Sequence, residues 1–188
     1  LATPRREVLM VKTAAKDITA PLTILSHVHI FQGLPEDAKS ALSERVRRHH
    51  LMQGETIFQQ GETGDSLFVI AEGAIGIWLQ FEDGKAIEVI RIGAGDFFGE
   101  MELLSGEARK GSAIAAVDTE LFEITKEELT PFLEEFPQVS ELLSQKMAER
   151  EARMEEQIDL YQLEDIEQTA PSGKILQKTK ELLKGKQS

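Results

Sequence analysis

Glycine and proline are spread unevenly along this chain, and that unevenness limits its fold more than any other feature. Eleven of the fourteen glycines fall between Gly54 and Gly111, and no proline occurs between Pro35 and Pro131. β-Branched and aromatic runs fill the gaps between the glycines, the pattern of short strands joined by tight turns. Residues 56–58, 66–70, 74–81, 86–92, 113–117 and 120–125 are the strands this predicts. Glu82-Asp83-Gly84-Lys85 carries the Asp-Gly signal of a tight hairpin. Residues 51–125 therefore read as an all-β unit of seven or eight strands, a sandwich, jelly roll or barrel.

The flanks read as helices. Pro35-Glu36-Asp37 opens a helix expected over residues 38–50, with Ala38, Leu42 and Val46 on one stripe. Thr125 and Glu128 have the spacing of a capping box for a short helix over 126–136. Residues 139–164 then run without Gly or Pro, about 39 Å of helix. Its apolar stripe is Val139, Leu142, Leu143, Met147, Met154, Ile158 and Tyr161, interrupted by Arg150 and Glu151. The fold class expected is mainly β with flanking helices: an eight-stranded β-roll or jelly roll with N-terminal helices and a long C-terminal helix. Its expected division is an N-terminal arm or linker stub over 1–24, a domain over 25–165 and a basic helical tail over 166–188. In the domain, the β-roll covers about 51–125 and the C-terminal helices 126–165. Thr169-Ala170-Pro171-Ser172-Gly173 reads as a hinge before the tail.

Charge and composition remove several function classes. The 188 residues carry a net charge of −12 and no cysteine. A chain so acidic is a poor general binder of nucleic acid, whose affinity comes from Lys and Arg neutralising phosphates. The missing cysteine excludes disulfides, thiolate metal sites and a Cys nucleophile. No apolar run reaches the roughly 18–20 residues that span a bilayer. The start, Leu1-Ala2-Thr3-Pro4-Arg5-Arg6, has neither a signal-peptide core nor an initiator Met, which reads as a processed product or a fragment. The expectation is a cytoplasmic protein or the cytoplasmic portion of a larger one. A metal-dependent jelly-roll enzyme would need His and carboxylate ligands on its strands, and residues 51–125 contain no histidine. No enzyme activity and no metal are expected.

One stretch carries chemistry: Phe97-Phe98-Gly99-Glu100-Met101-Glu102-Leu103-Leu104-Ser105-Gly106-Glu107-Ala108-Arg109-Lys110. Gly99 follows a strand and precedes a short helix-prone turn. A helix start leaves backbone N–H groups unpaired, and Gly lets that backbone approach a ligand closely. Arg109 can clamp a phosphate through parallel N–H bonds. Glu100, acceptor-only when ionised, wants hydroxyl or Arg partners. Such a set suits a hydroxyl beside a phosphate, as in a ribose cyclic phosphate. The same Glu and Arg also describe an ordinary surface pair worth under about 1 kcal/mol.

From Ile30 to about Tyr161 the sequence resembles the cyclic-nucleotide-binding domain family. Its members include the sensor half of bacterial cAMP receptor proteins, protein kinase A regulatory subunits and cyclic-nucleotide-gated channels. The resemblance rests on an ordered set: Ile30-Phe31-Gln32-Gly33-Leu34, the frame from Gln60-Gly61-Glu62 through Gly64-Asp65-Ser66-Leu67-Phe68-Val69-Ile70 to Gly73, Gly95-Asp96-Phe97-Phe98-Gly99-Glu100, and Ser144-Gln145-Lys146-Met147-Ala148 in the last helix. It implies a β-roll capped by helices and a non-catalytic sensor. Phe98 to Arg109 is similar to the family's phosphate-binding cassette. Glu100 would then accept from the ribose 2′-hydroxyl and Arg109 would clamp the cyclic phosphate. Amides near Gly99, Met101 and Lys110 would donate to it. Ile77, Val89 and Met101 would wall the sugar and base, with Arg150 and Met154 as lid positions on the last helix. Arg150 is otherwise a charge pairing with Glu151 or Glu149.

The sequence departs from relatives at two places. They usually have a small residue where Glu102 stands, and a carboxylate beside a phosphate is repelled. They often have Ser, Thr or Ala where Lys110 stands. Members preferring cGMP often use Thr there, so its absence favours cAMP as ligand, with cGMP second. No further cofactor is implied. The resemblance implies regulation by movement of the last helix, a partner that is not a DNA-binding half, and a place in a larger membrane channel or signalling protein. The Met147, Met154, Tyr161 spacing permits a homodimer. A relative that keeps the fold without the ligand, as a protein-interaction module, is the alternative.

Overall fold

Leu67-Phe68-Val69-Ile70 is apolar at every position, so a strand there must bury both faces. The computed structural model of the chain, which describes residues 19–169, shows what covers each. Phe68 and Ile70 point between two sheets, while Leu67 and Val69 meet a layer of helices.

The elements run in this order. Helix α1 (Thr19–His27), a 3-10 turn (His29–Phe31) and α2 (Glu36–Ser43) come first. Strands β1 (Arg47–Leu51), β2 (Thr56–Phe58), β3 (Ser66–Glu72), β4 (Ala74–Gln80), β5 (Ala86–Gly93) and β6 (Phe97–Phe98) follow. Helix α3 (Glu100–Ser105) interrupts the roll before β7 (Ser112–Ala115) and β8 (Thr119–Thr125). Helices α4 (Lys126–Glu135) and α5 (Pro137–Thr169) close the described chain. The eight strands form two antiparallel four-stranded sheets, ordered β1-β8-β3-β6 and β2-β7-β4-β5. The expected eight-stranded roll with flanking helices is what the chain forms.

Between the sheets lie Phe68, Ile70, Ile75, Ile92, Phe98, Ala113, Ala115 and Leu121. Outside the first sheet, Leu25, Val28, Phe31, Leu42, Leu129, Phe132, Val139 and Leu143 bring the helices onto Leu67, Val69, Phe122 and Ile124. Each large apolar side chain buried this way contributes about 1.5–3 kcal/mol. A third cluster joins Leu79, Val89 and Met154, with Ile87, Met101 and Ile158 around them. It pins α5 to the β4–β5 hairpin.

Local signals hold where a side chain acts on its own backbone. Thr125 and Glu128 form the capping box at the start of α4. The Asp-Gly turn closes β4 on β5, with Phe81 N–H donating to Lys85 O at 2.9 Å. The helix expected over 38–50 stops at Ser43 instead, and Arg47–Leu51 is a strand paired with β8. The partner strand explains the change. Glu120 and Glu123 of β8 take Arg48 and His49 at 2.7 and 2.8 Å. Leu42 and Val46 still reach one core, one from the helix and one from the turn after it. The roll thus begins at Arg47 rather than near 51. Helix α1 crosses the boundary expected after residue 24, because Leu25 and Val28 anchor it in the core. Residues 1–18 of the expected arm, the hinge beyond Thr169 and the basic tail lie outside the described residues. Among the described residues no helix is long and apolar enough to cross a membrane.

Candidate functional site

β6 ends at Phe98, and the next residue has φ +85°, which lets the chain turn straight into α3. A Cβ on Gly99 would stand 2.8 Å from Ser66 O and 2.9 Å from Arg109 Nη1. One on Gly64 would stand 2.3 Å from Arg109 Nε. These two glycines make the slot that admits the Arg109 guanidinium. Phe58 completes it, with its ring centroid 4.1 Å from Arg109 Cζ.

Within that slot Arg109 is 4% exposed. Its Nη1 donates to Gly99 O at 2.9 Å and to Glu102 Oε2 at 3.0 Å, and its Nη2 donates to Ser66 O at 2.9 Å. The second oxygen of Glu102 accepts the Lys110 main-chain N–H at 3.0 Å. Glu102 therefore bridges two groups expected to hold a phosphate.

Glu100, at the start of α3, is 1% exposed. Its Oε1 accepts from Arg150 Nη1 at 2.7 Å, while its buried Oε2 has no hydrogen-bond partner. Burial pushes its carboxyl above the usual range, and the Arg150 charge pulls the other way. Arg150 also donates to Asp96 Oδ1 at 3.0 Å, and its Cζ lies 4.9 Å from the Phe97 ring centroid. Lys146 Nζ approaches Asp96 at 3.5 Å, and Lys110 Nζ pairs with Glu151 at 3.1 Å. Four ion pairs thus hold α5 over the end of the roll.

Between these groups lies a cavity of about 40 Å³. It has room for a few waters, against about 300 Å³ at which ligand pockets begin. Gly99, Glu100, Met101, Lys110, Ile77, Arg150 and Met154 line it. Val89 lies beside it, packed on Met154 in the third apolar cluster. Arg109 lies behind Glu102 rather than on the cavity wall. Arg150 pairs with Glu100 and Asp96, not with Glu149 or Glu151. The expected site residues therefore come together at one end of the roll. Phe58, Gly64, the Ser66 carbonyl and Asp96 belong to the same assembly, though the sequence marks them only as fold residues and gives them no part in the site. Asp96 had a visible signal, an acid immediately before Phe97-Phe98. The others act through a ring face, a missing side chain and a main-chain oxygen, which sequence spacing does not mark. Among the described residues no group of His, Asp and Glu is arranged to hold a metal ion.

Residues 48–136 match the cyclic nucleotide-binding domain family. The chain is similar to the cyclic AMP receptor protein of Thermus thermophilus, 34% identical over 137 residues, 72% of this chain and 63% of that protein. It is similar to a cGMP-dependent protein kinase of Caenorhabditis briggsae, 37% identical over 114 residues, 60% of this chain and 15% of the kinase. Its fold resembles the regulatory domain of Toxoplasma gondii protein kinase A solved with cAMP. There the TM-score is 0.66 and the identity 28%, covering 72% of this chain and 51% of that one. The chain spans 63% and 57% of the length of the first curated relatives it matches. Residues 48–136, which contain the Gly99–Lys110 cassette, are a cyclic nucleotide-binding domain of that family.

Proposed function

We propose that this chain is a non-catalytic regulatory module that binds a cyclic nucleotide, cAMP ahead of cGMP, at the cavity under α5. Glu100 Oε2 carries the reading. It is a fully buried carboxylate oxygen without a partner, on the cavity wall, and a ribose 2′-hydroxyl is a donor of the right kind. Arg109 and the amides near Gly99, Met101 and Lys110 take the cyclic phosphate. Ile77, Val89 and Met101 face sugar and base, and Arg150 and Met154 cover them. The cavity is too small for a nucleotide, so α5 must shift as the ligand enters. A ligand that binds one position of α5 better selects it, and that shift is the output to the larger channel or signalling protein that houses the module. The module works on the cytoplasmic side and, through α5, as a homodimer.

The Glu102–Arg109 pair favours a second reading, a member that keeps the fold without the ligand and serves as an interaction module. Titration calorimetry of the folded protein with cAMP, cGMP and AMP decides between them. Micromolar or tighter binding of a cyclic nucleotide, with AMP much weaker, is the expected result. No binding of any of the three by the folded protein removes the nucleotide reading and favours the interaction module.

A further inference from the structure

We infer that Glu102 is a built-in stand-in for the ligand's phosphate, so that a cyclic nucleotide binds by displacing the chain's own carboxylate. The inference rests on the cyclic-nucleotide reading for its ligand, and on the geometry for its mechanism. A carboxylate offers two anionic oxygens on one centre, as a cyclic phosphodiester does. Those of Glu102 sit on Arg109 Nη1 and on the Lys110 N–H, each at 3.0 Å. The pair is buried, with Glu102 6% and Arg109 4% exposed. Glu102 is not needed to seat the guanidinium, which Gly99 O, Ser66 O and the Phe58 ring already hold.

Charge makes the two anions exclusive. Three carboxylates, Asp96, Glu100 and Glu102, face the two guanidiniums of Arg109 and Arg150, with Lys146 at the rim. An incoming phosphate adds a negative charge to a site whose three carboxylates already match its two guanidiniums and Lys146, and like charges in a buried site repel strongly. Of the three acids, Glu102 alone occupies phosphate donors, so it is the one expelled. The displacement lowers affinity and sets a higher ligand threshold than the cassette would otherwise have.

The test uses the full chain, Glu102→Ala and Glu102→Gln. The probes are inorganic phosphate, followed by thermal unfolding against a chloride control of equal ionic strength, and cAMP, followed by calorimetry. Glu102→Ala is expected to bind cAMP about tenfold more tightly or better, and to gain a phosphate-dependent rise in unfolding temperature that the wild type lacks. Glu102→Gln, which still accepts from Arg109 but carries no charge, is expected to fall between; it carries the test if the alanine variant does not fold. Equal cAMP affinity in wild type and variants, with no selective gain from phosphate, makes Glu102 a structural counter-ion and overturns the inference while the nucleotide reading stands. A selective phosphate gain with no cAMP binding by any form upholds the stand-in and removes the nucleotide reading.

Discussion

Two arginines beside one cavity, Arg150 on its wall and Arg109 behind Glu102, each hold a buried glutamate, yet they are mounted on different parts of the molecule. Arg109 belongs to the roll. Two main-chain carbonyls, a ring face and two glycines fix its guanidinium before Glu102 is added. Arg150 belongs to α5, and its hydrogen bonds go only to side chains, Glu100 and Asp96. The same ion-pair chemistry therefore serves as scaffold in the roll and, under the proposed movement of α5, as latch on that helix. What an ion pair does for a fold depends on whether its partners can separate without unpacking a core.

The largest effect should come from the scaffold. Arg109→Ala leaves Glu102 as a buried charge without its counter-ion and strips Gly99 O and Ser66 O of their donor. Removing one partner of such a pair costs about 3–5 kcal/mol, to be read as a lower denaturation midpoint of the whole domain. A loss confined to α5, or below about 1 kcal/mol, would show that Arg109 is no more a part of the scaffold than Arg150.

Arg150→Ala should cost less, about 1–3 kcal/mol, because the proposed movement of α5 would let water reach Glu100. Amide exchange should quicken along α5 and stay slow in β3 and β8. The pH dependence has a definite sign. Glu100 has its carboxyl raised above the reference value of 4.5, so the native state takes up its proton more readily than the unfolded chain does. Ionised Glu100 thus weighs against the fold above its native pKa, and acidification through that pKa relieves the cost. Without Arg150 the cost grows, so the gap between variant and wild type should be widest at neutral pH and narrow on acidification. A gap that does not narrow on acidification would mean that Arg150 acts through its packing on the Phe97 ring, 4.9 Å from Cζ to the ring centroid, rather than through Glu100.

This division between scaffold and latch was only partly legible in the sequence. The glycine frame, the Asp-Gly hairpin and the Thr125–Glu128 box act over a few residues, and each appears where expected. The cassette was legible for the same reason: Gly99, Glu100 and Arg109 are close in sequence, and one short helix and one loop join them. Contacts across the chain were not. Arg47–Leu51 reads as the end of a helix until β8 supplies Glu120 and Glu123 opposite it. Glu102 stands out in sequence as an acid in the wrong place for a phosphate. Only in three dimensions does it lie between Arg109 and the Lys110 amide. Arg150 was marked by its break in an apolar stripe, but its two acids lie 50 and 54 residues away.

The smallest effect expected concerns a partly buried carboxylate, which extends the comparison. Glu123 on β8 accepts from His49 at 2.8 Å and from Ser66 Oγ at 2.7 Å. Unlike Glu100 it is held below the usual carboxylate range, first by the His49 hydrogen bond, with burial opposing. The sign is therefore the reverse. Its contribution is complete above the reference value of 4.5 and is lost as the pH falls through the lower native value. His49→Ala removes the main cause and should cost about 1 kcal/mol near neutral pH, with the loss fading under acid. Two carboxylates in one domain, one strained by burial beneath α5 and one relaxed by a partner on the next strand, should thus answer acid in opposite directions. Unfolding curves from pH 3 to 7 for the wild type, Arg150→Ala and His49→Ala measure both. If the His49→Ala loss persists undiminished at the acid end, that variant acts through its edge contact with Phe68, 6.2 Å between centroids, rather than through Glu123.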